Sequence, residues 1–495
     1  MKYTLNEIIQ ATNGICSAVV SEVCGAVIAQ GVVIAKGVVI DSRKVVEGNL
    51  YIAFKGNNFD GHDYVKVAFA AGASLAIVEH ICVDAPHSQQ ILVDNCLLAL
   101  QNLARHQRTR SAFKLVAVTG SVGKTSTKEM LALTIGKQRK VHATSGNYNN
   151  HIGLPLTLVN APAETEIMVL EMGMNHAGEI SLLSEIAKPD IAIITTIDAV
   201  HLEFFASVAD IAHAKAEIME GMSSQGMSNH GDDSEATIIL PYDNLYYDIL
   251  VNKAMSQNLN IITFGKSPQA NFHLHDILVN SAGTRANCIL GNKEKLNNQE
   301  KTLSLAVSGE HLAINALAVL ACINALGLNI DEAIKSLSQF QDAKGRGDIH
   351  EIICNKSKDD TQIVNILVID ETYNASPASM RSSLRKLQAL ANDNRKIAVL
   401  GDMKELGVNA PQFHAELAQE LIACKIDALF CVGEMMQYLY DAATQYLPDC
   451  FHFASNAELS TALIDYLQGD DFVLCKGSRS CHIEEIIHTV KHYNI

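Results

Sequence analysis

The segment Thr119-Gly-Ser-Val-Gly-Lys-Thr-Ser126 has the residue types and spacing of a phosphate cradle. An apolar run, Leu115 to Val118, breaks at Gly120 and Gly123, and a helical pattern opens at Lys124. A strand that turns through glycines into a helix N-terminus points backbone N–H groups and the positive end of the helix dipole at one spot. There Lys124 can neutralise β- and γ-phosphate oxygens, and the Thr125 hydroxyl can ligate Mg²⁺. Val118 stands where the general P-loop has its first glycine, so the pattern is the looser G-x-x-G-K-T.

Phosphate chemistry needs a metal and further charge. Glu171 ends another apolar run, in EMGMNHAGEI, where a carboxylate can hold Mg²⁺ directly or through water. His201 and Glu203 follow the run DIAIITTI, and Lys215 lies in HAKAEI. Loop positions after adjacent strands can bring these groups to one metal–phosphate site. Taken singly, each has a plainer reading: a capping glutamate, a hydrogen-bonded histidine, a solvated lysine.

The elements that must position these residues are legible as runs. From about residue 110 onward, apolar β-rich segments alternate with helical ones: 115–118, 167–173, 190–197, 236–240, 260–265, 365–370, 396–402, 427–433 and 471–478. That alternation predicts parallel sheets covered on both faces. Glu171, Asp370, Asp402 and Lys476 stand at strand ends, where open α/β sheets present their ligand crevices. The first ninety residues differ: short glycine-punctuated strands, a helix (VKVAFAAG) and the strand SLAIVEH suggest a small separate unit. Leu97 to Arg110 reads as an amphipathic helix feeding the P-loop strand. The pattern breaks again after Phe340, at Lys344-Gly-Arg-Gly347. The expected fold is α/β with three domains. They are a small N-terminal α/β domain (1–92), a central P-loop domain with a mostly parallel sheet (93–341) and a C-terminal Rossmann-like domain (342–495). Segments 223–235, 291–302 and 355–362 read as surface loops, and His230, His273 and His275 as solvated side chains.

Composition narrows the class. The chain has 495 residues, 48% hydrophobic and 19% charged, which is globular rather than disordered. A formal charge of −16 disfavours non-specific nucleic-acid binding, so any anionic substrate must be met by local positive groups. The twelve cysteines are scattered singly without a CxxC, which argues for reduced thiols in a cytosol and against a zinc site. No apolar run approaches the roughly 18 residues of a membrane span. The start, MKYTLNEIIQATNG, reads as an amphipathic helix carrying Glu7, and no signal peptide is expected. A cytoplasmic protein is the expectation.

With these motifs in order the chain resembles the Mur ligases, ATP-dependent amide-forming enzymes of peptidoglycan precursor synthesis. The resemblance runs over nearly the whole length. It rests on DSRKVVEGNLYIAFKG with DGHDY (41–64), TGSVGKTSTKEM, TSGNYNNHIGLPLTL (144–158), EMGMNHAGEI, HLEFFAS, AKAEI and GEHLAINALA (309–318). Gly345-Arg346, VIDETYNASPASM (368–380), AVLGDMKELG (398–407) with His414, and LCKGSRS (474–480) complete it. The 368–380 segment is similar to that of the branch that adds D-Ala-D-Ala to a UDP-linked tripeptide. The neighbouring branch, which adds the third amino acid, typically carries a YAHTPD-like stretch there.

The resemblance implies an acyl phosphate made from ATP and the tripeptide carboxylate, then attack by the dipeptide amine. It also implies the roles. The loop Thr119 to Ser126, with Gly120, Ser121, Val122, Gly123, Lys124 and Thr125, would hold ATP, and Thr125 and Glu171 the Mg²⁺. His201 and a carbamylated Lys215 would bind a second Mg²⁺, since an N-carboxylated lysine is an anionic oxygen ligand where an ammonium would repel the cation. His311 and Asn315 would lie near adenine, with Arg346 and Asp370 towards phosphate and ribose. Ser42, Arg43 and Lys55 would hold the UDP end, and Asn147, Asn149 and Asn150 the uridylyl substrate or its loop. Tyr373, Asn374 and Ser376 would form the dipeptide pocket, and Lys476 would meet a carboxylate or phosphate. A monomer is expected, with no nucleic-acid or membrane partner.

Three departures stand out: Pro241-Tyr-Asp243 for Asn-x-Asp, Phe205 for glycine, and Glu371 and Ser376 for Asp and Asn. The competing readings are the third-residue-adding ligase, a folylpolyglutamate synthase, and a nucleotide-binding regulator without ligase chemistry. Whether the tripeptide ends in diaminopimelate or lysine is not encoded in any motif.

Overall fold

In the central domain Leu115, Val116, Ala117 and Val118 are all fully buried, because their strand is covered by helices on both faces. The computed structural model describes residues 2–16, 34–222, 235–280, 282–291, 299–342, 345–355 and 363–492. His230 and most of the three expected surface loops (223–234, 292–298, 356–362), together with Lys344, lie outside the described residues.

Three sheets organise three α/β domains. The first is a four-stranded parallel sheet in the order Val38–Val39, Leu50–Ile52, Leu75–Val78, Gln90–Leu92. A short antiparallel ribbon, Lys2–Thr4 with Ile34–Lys36, leads into the helix Leu5–Thr12, whose N-terminus is a capping box between Thr4 and Glu7.

The second sheet has nine strands. Its parallel part runs Val141–Ala143, Ile167–Glu171, Lys114–Thr119, Ile191–Ile194, Thr237–Pro241, Asn260–Gly265 and Phe272–Asn280. Gly283–Leu290 and Gln299–Leu305 add antiparallel strands at one edge. Residues 299–302 are therefore strand, where a loop is expected from their polarity. Glu300, Thr302 and Ser304 face out while Leu303 and Leu305 are buried, the alternation of an edge strand wet on one face. His273 and His275 likewise lie on the strand Phe272–Asn280, and His275 is half exposed and paired with Asp276 and Glu300.

The helix Glu310–Ala325 is apolar almost all round and buries Leu312, Ala313 and Asn315 to Ile323 against the sheet and the P-loop helix. On the opposite face one continuous core joins Leu50 and Ile52 of the first domain to Leu100 and Leu103 of the helix Cys96–Arg110 and to Leu115 and Leu170 of the central sheet. The N-terminal domain is thus packed on the P-loop domain rather than tethered to it.

The third sheet has six strands, ordered Asp348–Asn355, Ile363–Glu371, Phe472–Lys476, Lys396–Gly401, Ala428–Val432, Asp449–Phe453. Only the first pair is antiparallel. Helices cover both faces with separate cores, one around Leu384 and Leu400 and one around Val399 and Ile486. The carboxyl ends of the central and C-terminal sheets meet at one cleft.

Candidate active site

The strand Lys114–Thr119 hands over to the helix Lys124–Gly136 through Gly120 (φ 147°) and Gly123 (φ 85°). Both need glycine for a second reason, close approach. A Cβ on Gly120 would stand 1.9 Å from Thr195 Oγ1, and one on Gly123 would stand 2.8 Å from Asn315 Nδ2. The Lys124 ammonium donates to the carbonyls of Gly120 (2.7 Å) and Ser121 (3.3 Å), curled into the loop it serves. Burial holds its pKa below the ordinary lysine value, against the pull of Glu171. Ser126 Oγ donates to both oxygens of Asp342, at 3.0 and 3.1 Å.

A cleft of about 530 Å³ opens over this loop. The central domain lines it with Ser121 to Ser126, Asn147, Asn149, Glu171, His311 and Asn315. Across the gap the C-terminal domain contributes Arg346, Tyr373, Asn374, Ser376 and Lys476. Sixteen expected positions, from Ser121 to Lys476, share the walls of this one cleft.

Glu171 is 2% exposed, and its Oε1 accepts from Asn149 Nδ2 at 2.8 Å. Its Oε2 is buried with no hydrogen-bond partner among the described residues. A buried acceptor oxygen left unpaired is costly, and a divalent cation beside the P-loop hydroxyls would satisfy it. The donor set therefore fits Mg²⁺.

His201 and Lys215 lie outside the lining. Lys215 is 1% exposed, and its pKa is driven well below the ordinary value by burial and by the neighbouring charge of Lys124. His201 sits in a left-handed turn (φ 60°) with its Nδ1 on Glu405 of the C-terminal domain. Burial lowers its pKa, opposed by Glu405.

On the C-terminal wall the Arg346 guanidinium lies 4.1 Å from the centre of the Tyr373 ring, a cation–π contact. Asp370 does not line the cleft. Its Oδ1 accepts from the Thr372 backbone (3.1 Å) and hydroxyl (2.7 Å), and the next residue, Glu371, faces the cleft instead. Neighbours on a strand point to opposite faces, so one register step separates the two readings. Asp402, also expected at a crevice, is buried and committed to the Met436 backbone N–H and to Lys404. His414 accepts from the Met403 N–H (2.9 Å) and pins the same turn.

Five more expected residues sit away from this cleft. Thr119 is buried, its hydroxyl donating to Met172 O at 2.8 Å, which ties two strands together. Asn150 Oδ1 accepts the backbone N–H groups of Ile152 (3.2 Å) and Gly153 (2.9 Å), where the helix Gly153–Val159 begins. Arg43 is paired with Asp41 on the surface of the N-terminal domain, beside Ser42, and Lys55 lies in the bridge to Asp60. The residues missed in the sequence include Thr195, Thr196, Asp342, Lys266 and Glu371, all of which line the cleft. Asp243, in the segment where Pro241 departs from Asn-x-Asp, also lines it and accepts the backbone N–H groups of Lys266 and Ser267.

Two α/β domains closing on a P-loop cleft, packed on a small N-terminal domain, match known families along most of the chain. Residues 35–108 match the model of the Mur ligase family catalytic domain, 118–323 that of the Mur ligase middle domain, and 360–479 that of the Mur ligase glutamate ligase domain. The chain belongs to the Mur ligase family. It is 36% identical to the UDP-N-acetylmuramoyl-tripeptide–D-alanyl-D-alanine ligase of Rickettsia prowazekii over 90% of this chain and 93% of the relative. It is 34% identical to the enzyme of the same name from Bacillus subtilis, over 90% of this chain and 91% of that one. Among solved structures, MurF from Acinetobacter baumannii superposes with a TM-score of 0.83 at 29% identity, covering 99% of both chains. The MurF ligase of Thermotoga maritima in complex with ADP gives 0.76 at 28% identity, over 92% of this chain and 97% of that one.

Proposed function

We propose that this chain joins D-Ala-D-Ala to the terminal carboxylate of UDP-N-acetylmuramoyl-tripeptide, driven by ATP. The observation that carries it is the loop Tyr373 to Ser376 lining the same cleft as the P-loop. The residues that read as dipeptide-binding therefore face those that read as phosphate-binding.

The chemistry divides among the chain's own groups. Lys124 and the loop amides up to Thr125 neutralise and orient the ATP phosphates, so that the γ-phosphoryl lies in line with the tripeptide carboxylate. Thr125 and Glu171 would hold Mg²⁺, which when bound supplies charge stabilisation across the β- and γ-phosphates. Arg346, stacked on Tyr373, adds positive charge from the opposite wall. The resulting acyl phosphate must be kept from water, which the closure of the C-terminal domain provides. Asn374, Ser376 and Lys476 orient the dipeptide so that its amine attacks the acyl carbon and phosphate leaves.

Lys215 is suited to carbamylation. Burial and the charge of Lys124 hold the Lys215 pKa well below the ordinary lysine value, which favours the free amine. Attack on CO₂ would form an N–C bond and release one proton, and the carbamate would be an anionic oxygen ligand for a second Mg²⁺ beside His201. A ¹³C-bicarbonate-labelled sample would give a carbamate resonance that Lys215→Ala lacks. Both walls of the cleft come from one chain, which supports a monomer, and the site of action is the cytoplasm, where ATP and UDP-linked precursors are found.

The test is phosphate release with ATP, Mg²⁺ and UDP-N-acetylmuramoyl-tripeptide, with and without D-Ala-D-Ala, and the product mass. Release that needs both substrates, with one dipeptide unit added, supports the reading. Turnover instead with the dipeptide-linked nucleotide and a free diamino acid moves the chain to the neighbouring branch. Silence with every precursor leaves only nucleotide binding.

A further inference from the structure

One charged group beside the cleft has no part in this chemistry. Lys386, on the helix Pro377–Ala391, is 4% exposed and does not line the cleft. Its ammonium donates to Gly347 O at 3.2 Å and lies 3.4 Å from Glu371 Oε1. The other oxygen of Glu371 lies 3.7 Å from Lys476 Nζ, which also donates to Asn374 O at 3.0 Å. One carboxylate is thus strung between two buried ammonium groups. Removing three charges from water is expensive, so such a network is weak evidence of stability. What it does fix is geometry.

The glycine at 347 fits this reading. Its φ is +102°, and a Cβ there would stand 2.3 Å from Lys386 Nζ and 3.2 Å from Glu371 Oε1. The space a side chain would fill is held by the lysine head. Gly347 adjoins Arg346, whose guanidinium stacks on Tyr373, and the Tyr373 N–H donates to Gly345 O at 3.1 Å. Two segments at the cleft, 345–347 and 371–376, are therefore tied together through a lysine that does not itself line it.

We propose that Lys386 is a positioning residue. Through Gly347 and Glu371 it holds Arg346 against Tyr373 and so sets the wall on which nucleotide and dipeptide are bound. The inference rests on the ligase reading above for its substrates.

The experiment compares two uncharged replacements: Lys386→Met, which keeps the length and removes the head, and Lys386→Gln, which is shorter. In both, Glu371 keeps Lys476 as its counter-ion, so no buried charge is left unpaired. The expected result for each is KM for ATP and D-Ala-D-Ala raised by about tenfold or more, with kcat within about threefold. An unchanged KM in either folded variant overturns the proposal. So does a kcat that falls while KM stays, since Lys386 would then not set the binding wall. If one variant does not fold, the KM of the other decides alone. Should the wild type turn over no precursor, the ligase reading fails. Calorimetric ADP binding, which needs no turnover, then judges Lys386 by whether Lys386→Met weakens it about tenfold.

Discussion

Nδ1 of His201, in the central domain, is hydrogen-bonded to Oε2 of Glu405, in the C-terminal domain. Both residues hold left-handed backbone, with φ of 60° and 62°. The contact is not isolated. The Glu203 N–H donates to Glu405 O at 3.0 Å, and a Cβ on Gly407 would stand 3.1 Å from Glu203 Cα. The turn Gly401-Asp-Met-Lys-Glu-Leu-Gly407 is thus a clasp between the two domains that form the cleft.

Glu405→Ala should loosen that clasp. A half-exposed pair of this kind contributes about 0.2–1 kcal/mol, a shift of up to about fivefold in the closed population. Small-angle scattering with an ATP analogue and the UDP-tripeptide reads it directly. The wild type should compact, and the variant should need more ligand for the same compaction. Superimposable curves would mean that the pair holds nothing.

Asn149 should govern metal affinity through Glu171. Its Nδ2 donates to Oε1 and leaves Oε2 turned out and unpaired, so the orientation of the carboxylate depends on the amide. Loss of such an outer partner typically costs about 10–100-fold in metal affinity. Calorimetric titration with Mg²⁺ should show that loss in Asn149→Ala, and chelation should abolish phosphate release in the wild type. Equal Mg²⁺ affinity in both proteins would sink the assignment of Glu171 as a ligand.

Local patterns carried far in the sequence because most of the site sits where pattern and place coincide. Gly120, Gly123 and Lys124 announce a strand–turn–helix corner, and Glu171 and Lys476 end apolar runs that can only be covered strands. Asp370 and Glu371 mark the limit. Both are acidic and adjacent at a strand end, and only the register against Phe472–Lys476 decides which one faces the cleft. Lys386 was invisible for a related reason: a lysine on an amphipathic helix reads as solvated, and its burial comes from a loop some forty residues earlier. Gln299–Thr302 shows the converse, since an edge strand wet on one face has loop-like composition.

The acid limb of stability should carry the signature of Glu371. Burial alone would raise its pKa, but Lys386 and Lys476 outweigh it and hold the carboxyl below its ordinary value. Between that lowered value and the ordinary glutamate value of about 4.3, the unfolded chain binds the proton that the folded chain refuses. Stability therefore rises with pH through this window, is complete above it, and is lost as pH falls through the folded value. Glu371→Gln cannot titrate and should flatten this part of the curve. Urea midpoints taken at neutral pH and at steps down the acid limb would show a steeper fall for the wild type than for the variant. Parallel falls would mean that the two lysines do not hold the carboxylate ionised, and that the network beneath Arg346 and Tyr373 is not the charged one described.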